Sequence, residues 1–162
     1  SAHPKDRHFM TLPFDIDIAV QSNLWTDHET LIHTSIQAAL SVLDAPRIGE
    51  LSIALSDDTQ IQTLNREYRH KDKATNVLSF PVAPPAPMLG DIVLAYETLC
   101  REAEEKKVAF NSHMSHLLIH GFLHLQGYDH ETDSDAAIME GLEIRALCAL
   151  GIDNPYEIPK SK

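Results

Sequence analysis

The sequence predicts an α+β fold: one domain, in which a single, mainly four-stranded mixed sheet is covered by about five helices. Three observations carry this. Four short strand-like segments fall within the first 95 residues, helical periodicity separates the first three, and helical pattern fills nearly everything after the fourth. A length of 162 residues suits one domain and is too short for two with sizeable cores. Folding at this length buries roughly two-thirds of the unfolded chain's surface, so 43% hydrophobic residues suffice for a core without staples. We place the domain at residues 10–158 and read residues 1–9, which lack periodicity and precede Met10, as a loose N-terminal arm or a cloning remnant.

Taken in order, Phe14, Ile16, Ile18 and Val20 alternate with Asp15, Asp17 and Ala19, the period-two pattern of a half-buried strand. Residues 28–43 then place Leu31, Ile32, Ile36, Ala39, Leu40 and Leu43 at helical spacing, ending before Ala45 and Pro46. Glu50 to Ser56 forms a second strand through Leu51, Ile53 and Leu55. Asp57 or Asp58 caps a helix that carries Ile61 and Leu64 to about Tyr68. Val77 to Phe80 is a short strand that stops at Pro81, and the segment 81–87, with four of the nine prolines, is a stiff exposed loop. Leu89 to Leu94 is the last strand. Helices follow over about 96–107, 112–126 and, capped by Asp133 or Ser134, from there to about Leu150, closed by Gly151.

Composition excludes several classes of function. Thirteen basic against 24 acidic residues, a net charge of −11, argue against indiscriminate binding of nucleic acid through the overall field. A local basic groove stays open. Two distant cysteines, Cys100 and Cys148, make neither a disulfide framework nor a paired-thiolate site, which fits a reducing cytoplasm. No run approaches the about 20 apolar residues of a membrane span.

Chemistry concentrates in residues 113–130, where five of the ten histidines fall. One such histidine is most often a hydrogen-bonded core residue; the set is different. His120 and His124, four apart, lie one above the other on a helix and can offer two imidazole nitrogens to one ion. Gly127 can end the helix at positive φ, so that the chain turns back and His130 reaches the same ion. His116 shares the face, but three ligands in a row span about 12 Å of helix against metal–nitrogen bonds of about 2 Å. Geometry favours His130 and leaves His116 behind the ligands or along a groove. Three imidazoles with open positions describe a catalytic site for one zinc ion, on a helix of the C-terminal half.

Gly121 occupies the position where zinc proteases carry a general-base Glu, which disfavours peptide hydrolysis by that route. The His-x-x-x-His-x-x-Gly-x-x-His spacing still matches metzincin ligands, so a peptidase with another base stays open. Asp129 is the nearest carboxylate and either orients an imidazole or accepts backbone bonds in the turn. Residues 66–73 hold Arg66, Arg69, Lys71 and Lys73, four of the thirteen basic residues, as a positive island. Arg69 suits phosphate binding or transition-state charge; the alternative is a solvated helix end complementing its dipole. Tyr68 and Tyr128 are candidates for base stacking or for half-buried core.

The run from His120 through Gly121, Phe122, Leu123, His124, Leu125, Gln126, Gly127, Tyr128 and Asp129 to His130 resembles the signature of the YbeY family of rRNA-maturation endoribonucleases. The likeness extends to Asn65–Phe80 and to Leu89–Ile92, in the family's order, and covers roughly residues 14–157. It implies that His120, His124 and His130 are the metal ligands and that Arg69 is required for activity. It also implies a bacterial cytoplasmic enzyme that cuts single-stranded RNA in 16S rRNA 3′-end maturation and ribosome quality control, with the ribosome or ribosomal proteins as partners. Ala74 and Asn76 depart from the family's usual proline and aspartate, which bears on loop stiffness and local potential. The rivals are a metzincin-like metallohydrolase and a non-catalytic assembly factor with a structural metal.

Overall fold

The computed structural model describes residues 15–84 and 86–157. The expectations for residues 1–9 and for Phe14 lie outside them. In chain order the elements are β1 (Ile16–Val20), α1 (Glu29–Ser41), β2 (Glu50–Ser56), α2 (Asp58–Arg69), β3 (Val77–Pro81), β4 (Met88–Ala95), α3 (Tyr96–Lys106), α4 (Phe110–Leu125) and α5 (Asp133–Ala149). The expected α+β architecture is present, with element ends moved by at most two residues. Asp57 caps α2 by accepting from the Gln60 amide at 2.9 Å. The cap of α5 is a correction: Thr132, not Asp133 or Ser134, accepts from the Asp135 amide at 3.0 Å.

The four strands form one mixed sheet in the order β1-β2-β4-β3. The first three in that order run parallel, and β3 pairs antiparallel with β4 as the first arm of a hairpin. Pro81 does not stop β3; it pairs with Gly90, on an edge strand where a missing amide hydrogen costs nothing. As the interior arm of the hairpin, between β2 and β3, β4 is buried on both faces. Leu89, Ile92 and Leu94 join the main core with β2, α1, α4 and α5, while Val93 and Ala95 join a smaller cluster under Ile61 of α2. Helix α4 is enclosed by the sheet, α1, α3 and α5, so Leu117, Leu118, Ile119, Phe122, Leu123 and Leu125 are all buried. Its histidines can therefore reach open space only along one stripe. Among the described residues no helix is long and apolar enough to cross a membrane, and both cysteines are free.

The hairpin depends on Gly90. Its φ is +144°, and a Cβ there would overlap the Phe80 carbonyl oxygen and press on the Leu125 side chain. Gly90→Ala should cost about 2 kcal/mol, roughly 4–8 °C in Tm, read by thermal unfolding. An unchanged Tm would mean that the β3–β4 pairing gives way without penalty.

Candidate metal centre

His120 and His124 sit one turn apart near the end of α4, and Gly127, at φ +102°, lets the chain leave the helix and bring His130 back. The ring centroid of His130 lies 5.6 Å from that of His120 and 5.2 Å from that of His124. One ring nitrogen from each of the three falls within 4.8 Å of the others. The tautomers follow from the outer hydrogen bonds. His120 Nδ1 donates to Glu143 Oε2 at 2.8 Å, and His124 Nδ1 donates to the Tyr128 carbonyl at 2.9 Å. In these tautomers each ring presents a lone pair at Nε2, and the two nitrogens face each other 3.1 Å apart. Two lone pairs so placed repel unless a metal ion or a shared proton lies between them. Tetrahedral coordination with bonds of about 2.0–2.1 Å sets ligand nitrogens about 3.3 Å apart, close to the spacing of this pair, and the three histidines together could hold one metal ion. Burial first, and then the neighbouring His120, hold the His124 imidazole below its usual range, which keeps it available as a neutral ligand.

Glu143 of α5 was not singled out from the sequence. It has no exposed surface, and its second oxygen accepts from His116 Nε2 at 2.7 Å and from the Tyr156 hydroxyl. Burial alone would raise its carboxyl; the hydrogen bonds from His116, His120 and Tyr156 outweigh it and hold the pKa at about 2. A signal existed. Met139, Glu143, Ala146 and Leu147 form the buried stripe of α5, so Glu143 is an acid on an apolar face. His116 lies behind the histidine cluster on this carboxylate. Asp129 instead accepts from the Glu131 amide at 3.4 Å, a turn role.

Arg69, the last residue of α2, meets the histidines across a cleft of about 360 Å³ walled by β3. As an edge strand, β3 leaves the Ser79 carbonyl unpaired, and Arg69 Nη2 donates to it at 2.6 Å while the guanidinium lies 4.9 Å from the Phe80 ring centroid. Its other N–H groups remain for the cleft. His70 ends α2 in the left-handed conformation, and buried Asn65 pins the basic loop through the Lys73 carbonyl at 2.9 Å. Tyr68 is exposed, edge-on to Phe80, whereas Tyr128 is half-buried against the main core. The two departures have local explanations. Ala74 packs on the smaller core cluster, and Asn76 Nδ2 donates to Glu102 at 2.9 Å, where an aspartate would set carboxylate against carboxylate. At Gly121 a Cβ would lie 3.1 Å from both the Ile92 and the Ser79 side chains, so any larger residue there would have to push these neighbours aside.

A family model described as "Endoribonuclease YbeY" matches residues 17–151. The chain is 48% identical to "Endoribonuclease YbeY" of Rhizobium johnstonii, covering 88% of this chain and 93% of the relative. It is 47% identical to the protein of that name from Rhizobium meliloti, covering 88% and 94%. Among solved structures it resembles the solution structure of TM1509 from Thermotoga maritima, at a TM-score of 0.56 and 21% identity over 91% of this chain and 99% of that one, a likeness of fold. A match of this extent, over the segment that carries both the histidine cluster and the basic loop, makes the chain a member of the YbeY family of endoribonucleases.

Proposed function

We propose that this endoribonuclease cuts single-stranded RNA with one zinc ion held by His120, His124 and His130, and that Arg69 is its catalytic arginine. The observation that carries the reading is the pair of Nε2 lone pairs 3.1 Å apart, with His130 completing the set. Bound zinc supplies Lewis acidity toward a phosphate oxygen and makes water a better nucleophile near neutral pH. The chain's own residues do the rest. Glu143 and the Tyr128 carbonyl fix which nitrogens the ligands present, and the β3 wall bounds the strand's path. Arg69, steadied by the Ser79 carbonyl, faces the charge that grows on the phosphate oxygens. In the same reading the substrate is 16S rRNA in 3′-end maturation and ribosome quality control, in the cytoplasm, with the ribosome or ribosomal proteins as partners, a reading that membership of an endoribonuclease family supports.

The peptidase alternative has little support, because the general base that would follow the first ligand is absent and Gly121, in its place, is closely packed against Ile92 and Ser79. The test uses the full chain on a single-stranded RNA oligomer and on casein. Dialysis against a chelator should abolish RNA cleavage, and one equivalent of zinc should restore it, with casein intact throughout. RNA cleavage by metal-free protein would overturn the reading, and zinc-dependent proteolysis would replace it.

A further inference from the structure

Among the described residues Glu143 is the only fully buried acidic side chain, and a carboxylate so far from water persists only with partners that satisfy it. Its two oxygens divide the work. Oε2 serves His120 Nδ1 at 2.8 Å, while Oε1 takes His116 Nε2 at 2.7 Å together with the Tyr156 hydroxyl. These partners come from two places. His116 and His120 are one turn apart on α4, whereas Tyr156 follows α5. Tyr156 is also placed firmly. Its amide donates to Asn154 Oδ1 at 2.8 Å, its ring stands edge-on to His116 at 5.4 Å, and the segment before it is tied to α5 by the Ile152 amide on the Leu147 carbonyl at 2.9 Å.

A glutamate has three side-chain torsions, and an unfixed carboxylate would swing its acceptor away from a ligand imidazole. Holding one oxygen from outside fixes the other on His120. We propose that Glu143 is a positioning residue for His120, and that Tyr156, reaching back from the segment after α5, is a second positioning residue that locks the carboxylate in the orientation His120 needs. The C-terminal segment is thereby part of the metal centre's support. The inference rests on the reading of His120 as a ligand.

The test compares full-length wild type, Glu143→Gln and Tyr156→Phe. Zinc affinity is read by competition with a chromophoric chelator, the His120 tautomer by long-range imidazole nitrogen spectra of the zinc-free protein, and the fold by Tm. Glu143→Gln should weaken zinc about 10–100-fold. Tyr156→Phe, partly exposed and chemically conservative, should weaken it several-fold at near-unchanged Tm. The wild-type His120 should be protonated at Nδ1, and Glu143→Gln should mix its tautomers. Wild-type affinity in Tyr156→Phe overturns the role of Tyr156 whether or not Glu143→Gln folds. Unchanged affinity and tautomer in both variants reduce the network to a structural one. A wild type that binds no stoichiometric zinc overturns the ligand reading itself, and this inference with it.

Discussion

His124→Ala should remove both stoichiometric zinc and RNA cleavage while leaving the fold in place. His124 is half-buried at the cleft, and its Nε2 is one of the two facing lone pairs, so its loss leaves His120 without its partner on the helix. Two remaining imidazoles, one of them on the exposed His130, hold zinc too weakly to survive dialysis. The loss of Lewis acidity is worth several kcal/mol at the transition state, or about a thousandfold or more in rate. Metal analysis of the dialysed variant and gel assays of oligomer cleavage measure the two effects. An unchanged rate in the purified variant would move the activity to another site.

Arg69→Ala should separate the two properties, keeping zinc at wild-type stoichiometry while cleavage falls about 100–1,000-fold. Among the described residues Arg69 bonds the Ser79 carbonyl and lies over the Phe80 ring, and neither contact is with the clustered histidines. The residue is exposed, so its removal should change stability by about 1 kcal/mol or less. Arg69→Lys should rescue poorly, because an ammonium cannot hold the Ser79 carbonyl and present a planar fork to a phosphate together. Coincident loss of metal in Arg69→Ala would make the arginine structural.

Much of this molecule is legible one segment at a time. Strand and helix patterns follow from which residues recur every two or every three to four positions, so β2 could be read to its ends and α2 to within a residue. The same local rule puts His120 and His124 on one face, and the preference of glycine for positive φ lets Gly127 return His130. The support of the site is different. Asp129 is near the histidine cluster in sequence and serves the turn, while Glu143, 23 residues from His120, is the carboxylate that reaches it.

The sequence by itself determined the elements, the spacing of the clustered histidines and the basic loop, because these depend on backbone geometry within a few residues. Only the tertiary structure decided that β4 lies between β2 and β3, that the edge carbonyl of Ser79 receives Arg69, and that α5 brings Glu143 beneath α4. Those contacts join residues far apart in the chain. They are selected by burying every apolar face of sheet and helix at once, a condition on the whole chain that no local period carries.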